Sequence, residues 1–335
     1  MLDALKILER LAPLPSPSGE ETPVAEAIRE IASPFAEDIR TDTLGNLIVH
    51  RPGAGQRVLL AAHMDTTGVI ATHIDEHGFL RFGQIGGLSH EDLLNIPVRF
   101  TNGVEGVISC DGKVKATDRK LLHYYIDIGA ADAAQARQLV SPGMRAVFFG
   151  GVRRLGEHRV CAPYLDNRAG CAVLLMALSS LAQTEYDVSF VFTVQEEVGL
   201  RGAKCAAFAL EPDWALAVDV TDTGDTPEPG YTTHVSLGKG PAVKIMDRSA
   251  VSHPLVARAL TETAARHGIC CQQEIMTDGG TDAGAIHLSR GGVRTGGIAI
   301  PTRYIHSPCE TADLRDLLAS AELLLHVLEN NALLP

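Results

Sequence analysis

Two textures divide this chain, and the boundary between them limits the folds open to it. Up to about residue 68, and again from 161 onward, helical patterns alternate with short apolar runs. Helices are expected over 2–12 and 20–33, the second opened by Ser18-Gly19-Glu20 with Pro23 in its first turn, and strands over 45–50 and 57–62. Further on, AGCAVLLMALSSLA (169–182), GAKCAAFAL (202–210), PLVARALTETAARHG and 313–330 read as helices, with a short one at DAGAIHLSR. The runs DVSFVFTV (187–194), WALAVDV (214–220), CQQEIM and VRTGGIAI read as strands. Residues 69–160 differ: THIDEHGFLRFG, PVRFTNG, VEGVISCDG and MRAVFFGGV are short runs broken by Gly and Asp, with little helical periodicity. Such a texture predicts a small β-barrel or sandwich, with Asn102-Gly103 and Asp111-Gly112 as hairpin turns. The expected fold is therefore α/β, a mixed-sheet domain of residues 1–68 and 161–335 interrupted by an inserted all-β domain at 69–160.

A chain of 335 residues exceeds one ordinary core, which agrees with two domains. No apolar stretch approaches the roughly 18 residues that span a bilayer, and MLDALKILER is an amphipathic start instead of a basic leader, so no membrane contact and a cytoplasmic location are expected. The net charge of −12, with no clustered Lys and Arg, argues against nucleic acid as a partner. Seven cysteines without a C-x-x-C pattern read as reduced thiols.

Chemistry concentrates at the ends of the apolar runs: His63 and Asp65, Asp166, Glu196 and Glu197, Asp219, and His306. In an open α/β sheet these positions converge on the crevice beyond the carboxyl ends of the strands. Two imidazoles and several carboxylates there suit two divalent metal ions, with one carboxylate left as a base. Along a strand, His63 and Asp65 share a face, so the carboxylate can hold the far ring nitrogen and leave the other for metal. Taken singly, each residue has a plainer reading: a strand-end histidine, a turn aspartate, Asp166 as a helix cap, His306 as a loop residue. Asp166 has two oxygens and can bridge two ions. Adjacent Glu196 and Glu197 at a buried strand end would repel without a cation between them, and Asp219 closing WALAVD would be a costly lone charge. Gly279-Gly280 before Thr281-Asp282 either permits close approach of substrate or is a plain turn and helix cap. The remaining histidines lack metal spacing, and Trp214 reads as core.

HMD at 63, YIDIGA at 125, SPGM at 141, LDNRAG at 165, QEEVGLRGA at 195, AVDVT at 217, GGTDAGAIHLSRGGVRTG at 279 and IPTRYIHSPCE at 300 together resemble metallopeptidase family 42 over nearly the whole chain. That resemblance implies a cytosolic glutamyl or leucyl aminopeptidase that uses cobalt or zinc and assembles as a tetrahedral dodecamer. It implies Asp166 as the bridge, His63 and Asp219 completing one metal, Glu197 and His306 the other, Glu196 as general base and Asp65 as the outer partner of His63. The insert would be a PDZ-like dimerisation domain. Thr66-Thr67-Gly68 departs from the usual continuation after HMD and bears on substrate preference. Imidazole and carboxylate ligands also accept manganese.

Three functions compete at this stage. One is a two-metal aminopeptidase acting on short cytosolic peptides. Another is a carboxypeptidase, dipeptidase or N-deacylase on the same metals. The last is a non-catalytic assembly protein. Asp222 and Asp225 could offset a substrate ammonium, whereas Arg303 could serve a substrate carboxylate.

Overall fold

A computed structural model describes residues 1–36, 38–229 and 233–333. The chain opens with α1 (Ala4–Leu11) and α2 (Thr22–Ala32), then strands β1 (Asp38–Thr41), β2 (Leu47–Arg51) and β3 (Arg57–His63). Six strands follow: β4 (Gly68–Ile74), β5 (Leu80–Ile85), β6 (Pro97–Phe100), β7 (Glu105–Cys110), β8 (Tyr124–Asp127) and, after α3 (Ala133–Leu139), β9 (Arg145–Phe148). Next come β10 (Arg153–Leu155), β11 (Arg159–Ala162), α4 (Leu165–Ser180), β12 (Asp187–Thr193), α5 (Arg201–Leu210) and β13 (Trp214–Thr221). The rest is β14 (Ala242–Met246), α6 (Pro254–His267), β15 (Gln272–Ile275), α7 (Ala283–Ile286), β16 (Arg294–Arg303), β17 (Glu310–Asp313) and α8 (Leu314–Glu329).

One large mixed sheet runs β1-β2-β12-β3-β13-β16-β17-β11-β10, with β14 and β15 attached beside β16. Its centre, β12-β3-β13-β16, is parallel. Parallel strands covered on both faces read as continuous apolar runs. Val58, Leu60 and Ala62 of β3 join the core shared with α1, α2, α4, α6 and α8, while Leu59 and Ala61 face the smaller cluster of α5 and α7. α4 is buried on nearly every side, as an all-round apolar helix must be. Trp214 is core, with its ring nitrogen donating to Gln56 Oε1 at 2.7 Å. Gly170 is dictated by packing: a side chain there would collide with Asn167 and the Val218 carbonyl, through which α4 is tied to β13.

Strands β4 to β9 form a separate closed barrel, in the order β4-β5-β8-β7-β6-β9, around its own apolar core. Asn102-Gly103 does make the hairpin between β6 and β7. Asp111-Gly112 does not join β7 directly to β8, because residues 111–123 intervene and Asp111 is held by Arg81 at 3.1 Å. α3 is a helix inside this segment whose texture carried little sign of one; Asp132 caps it. Among the described residues no helix is long and apolar enough to cross a membrane.

Candidate metal centre

The parallel strands end on one edge, which gathers the charged side chains. β12 and β3 pair Thr193 with His63, and β3 and β13 pair Ala61 with Ala217, so that Asp219 falls level with His63. Glu196 and Glu197 follow β12, Asp166 opens α4, and His306 lies in the turn between β16 and β17. These residues line a cavity of about 430 Å³.

Asp166 is central to the cluster. One carboxylate oxygen lies 3.0 Å from His63 Nε2, and the other 3.2 Å from His306 Nε2. His63 Nε2 is also 3.6 Å from Asp219 Oδ1, and His306 Nε2 is 3.4 Å from Glu197 Oε2. Two compact groups result, His63-Asp166-Asp219 and Asp166-Glu197-His306, each with ligand atoms within 4.8 Å of one another. They share Asp166. The far ring nitrogens are committed elsewhere: His63 Nδ1 faces the Asp65 carbonyl at 3.1 Å, and His306 Nδ1 faces the Gly87 carbonyl at 2.6 Å. A carbonyl can only accept, so each ring keeps a proton on Nδ1, and Nε2, which faces Asp166, is the atom a metal would take in place of that nitrogen's own proton.

The electrostatics fit a pair of cations. Burial pushes Glu196 and Glu310 well above the ordinary carboxyl range, with neighbouring carboxylates adding to it, and lifts Glu197 to about 8 and Asp282 to about 7. Burial opposes a charge on His63 and His306, yet the carboxylates around them outweigh it; His63 rises well above the imidazole value and His306 to about 10. Asp166, despite burial, is held below its usual range by the two imidazoles. The protein alone supplies too little positive charge for this many acids. In addition, Asp166 Oδ1 is buried without a properly directed hydrogen bond. An oxygen and a charge deficit of this kind suit divalent metal, and the donor set of imidazole and carboxylate suits transition ions.

Asp65 meets His63 through its carbonyl and, at longer range, its carboxylate, and it has further partners. Its carboxylate is 3.6 Å from His63 Nδ1 and accepts the N–H groups of Glu196 (2.8 Å) and Glu197 (3.2 Å) and the Ser18 hydroxyl (2.7 Å). These contacts tie it to the backbone of the Glu196–Glu197 turn. Other supports carried no sequence signal of their own. Glu310 accepts the N–H of Asp166 at 2.8 Å and of His306 at 2.9 Å, joining two elements 140 residues apart in sequence. It sits inside IPTRYIHSPCE, but nothing in its spacing announces that role. Asn46 fixes the end of β12 by accepting the Val194 N–H and donating to the Gly202 carbonyl, both at 3.0 Å. The barrel also reaches the centre: a side chain on Gly86, whose φ is +76°, would press on Thr67 and Glu197.

Gly279 and Gly280 line the cavity, and Asp282 does not cap α7 through its side chain; its carboxylate accepts the Thr193 hydroxyl at 2.5 Å. Asp222 lines the cavity as well. Arg303 and Asp225 are absent from its walls, because they bind each other through two parallel contacts of 2.8 and 2.7 Å. Among the described residues, no other histidine joins a metal-holding group.

Comparison with known proteins adds independent findings. A family model described as M42 glutamyl aminopeptidase matches residues 45–323. A relative from Acetivibrio thermocellus, itself assigned only provisionally as an aminopeptidase, is 45% identical over 97% of this chain and 98% of its own. The lysyl aminopeptidase of Pyrococcus furiosus is 34% identical over 93% of each chain. Among solved structures, the aminopeptidase APDkam598 of Desulfurococcus kamchatkensis superposes with a TM-score of 0.94 at 36% identity, covering 98% of this chain and 94% of that one. The TET1 peptidase of Pyrococcus horikoshii, described as assembling into a tetrahedron or a large octahedral shell, superposes with a TM-score of 0.89 at 34% identity over 98% and 99%.

Proposed function

This chain belongs to the M42 glutamyl aminopeptidase family and is an aminopeptidase, and from that premise we propose that it releases the N-terminal residue of short cytosolic peptides at a two-metal centre. The observation that carries this reading is the Asp166 carboxylate, with one oxygen in each of two ligand groups. His63 and Asp219 would complete one metal position, Glu197 and His306 the other, with zinc or cobalt the proposed occupants. When bound, such ions polarise a scissile carbonyl and bring the pKa of a water to about 7.

Glu196 is the proposed general base. It lines the cavity beside the ligands yet belongs to neither group, so its carboxylate is free to take the proton of the attacking water and return it to the departing amine. Asp65 is a positioning residue that holds the backbone of Glu196 and Glu197. Asp222, its pKa raised to about 6 chiefly by burial, lines the cavity and is the proposed counter-charge for the substrate's α-ammonium group. The rival carboxypeptidase reading needs a free cation for a terminal carboxylate, and Arg303 is already neutralised by Asp225.

A timed digest of a free peptide, followed by mass spectrometry, tests the direction of attack. A ladder shortened from the N-terminus is expected, with acetylation of that terminus abolishing cleavage and amidation of the C-terminus changing little. Loss of C-terminal residues, or release of acetate from the blocked peptide, would move the chain to the carboxypeptidase or deacylase class.

The insert expected at 69–160, whose barrel strands run from Gly68 to Phe148 while β10 and β11 join the large sheet, is proposed as a dimerisation domain through which copies assemble towards a dodecamer; the archaeal relative is described as forming a tetrahedron or a large octahedral shell. Exposed Val107, Leu122 and Leu139 on this segment offer apolar contact area. Light scattering at micromolar concentration with metal should give a mass near twelve times 35.7 kDa. A monomer alone under those conditions would refute the assembly.

A further inference from the structure

Past the metal ligands the cavity continues along β13 to a second set of charged side chains. Thr221 lies two residues beyond Asp219 and so on the same strand face. Its hydroxyl donates to Glu274 Oε1 of β15 at 3.0 Å, and Lys244 of β14 donates to the same oxygen at 2.7 Å. Lys244 Nζ is also 3.1 Å from Asp247 Oδ2. Glu274, Lys244 and Asp247 are 2%, 3% and 4% exposed, and all three line the cavity. One cation thus faces two anions. Burial works against the charge on Lys244, but Glu274 and Asp247 outweigh it and raise its pKa, so the ammonium stays charged.

The two carboxylates are not equally satisfied. Asp247 Oδ1 accepts the N–H groups of Ser249 and Ala250 and the Ser249 hydroxyl. Asp247 Oδ2 lacks a directed hydrogen bond but faces Lys244 Nζ at 3.1 Å, whereas Glu274 Oε2 is buried with no hydrogen-bond partner. A buried carboxylate oxygen left unpaired is unfavourable unless a ligand donates to it. Asp222 and Asp278 add further acid to the same walls.

Resting on the aminopeptidase reading, we infer that Glu274 and the pocket around it form the specificity subsite for the substrate's N-terminal side chain, and that this side chain is cationic, a lysine or arginine whose head donates to Glu274 Oε2. An acidic side chain would bring a third carboxylate to an ammonium that two already share. An apolar one would leave Oε2 unpaired, the arrangement by which a polar site rejects an analogue lacking the matching group.

Two measurements decide the point. With aminoacyl amides under one metal, kcat/KM for Lys and Arg should exceed that for Leu by about 10-fold or more, as expected for a charge-assisted hydrogen bond, with Glu lowest. Glu274→Gln should then collapse the Lys-to-Leu ratio, chiefly through KM. Calorimetric titration of the wild-type chain with L-lysine, norleucine and L-glutamate needs neither turnover nor a variant that folds, and lysine should bind tightest. Norleucine or glutamate binding as tightly as lysine, or no binding by any of the three, would overturn the subsite. Failure of every aminoacyl amide to be cleaved would instead strike the aminopeptidase reading, and the titration would still decide the subsite.

Discussion

Asp166→Ala is expected to lose metal and activity in a single step. Both ligand groups draw on this one carboxylate, so its removal leaves His63 and Asp219 as one incomplete site and Glu197 and His306 as another. The loss should exceed the roughly 10–100-fold typical of disturbing an outer partner of a metal site. The scaffold around it remains, because the Asp166 N–H still donates to Glu310 and Asn167 still ties α4 to β13. Elemental analysis and turnover on one preparation, beside a circular dichroism spectrum, check the prediction. Unchanged metal content with near-wild-type turnover would remove Asp166 from the centre.

Glu196→Gln separates base from ligand. The substitution preserves shape, and the backbone contacts to Asp65 do not depend on the side chain. Metal should therefore stay bound while turnover falls by about the 10²–10⁴-fold contributed by general acid–base catalysis. Glu197→Gln should behave in the opposite way. It weakens the ligand group with Asp166 and His306, so turnover falls at limiting metal and recovers as metal is added. Wild-type turnover in Glu196→Gln would place the base elsewhere.

Much of this architecture was legible because its determinants are local. The central strands β3, β12, β13 and β16 are covered on both faces and so appear as apolar runs, and a charge at the end of such a run stands out. His63, Asp166, Glu196, Glu197, Asp219 and His306 are indeed brought around one cavity. Short, half-exposed strands left weaker traces: β10 is exposed throughout and β1 nearly so, and neither carries an apolar stripe. Contacts between distant segments left none. Glu310 looks like any loop acid until β17 is paired with β11 and β16, and the Gly87 carbonyl that orients His306 comes from the barrel. Asp65 shows the same limit, since strand geometry pointed to His63 and gave no sign of the two N–H donors from the turn after β12.

The most direct test is to strip the protein with a chelator and restore a single transition ion stepwise, following peptide hydrolysis against ions bound per chain. Activity should depend on both positions and level off at two ions per chain, because each group contributes its own ligands and Asp166 serves both. Full activity with no bound metal, or a plateau at one ion per chain, would contradict the two-metal centre.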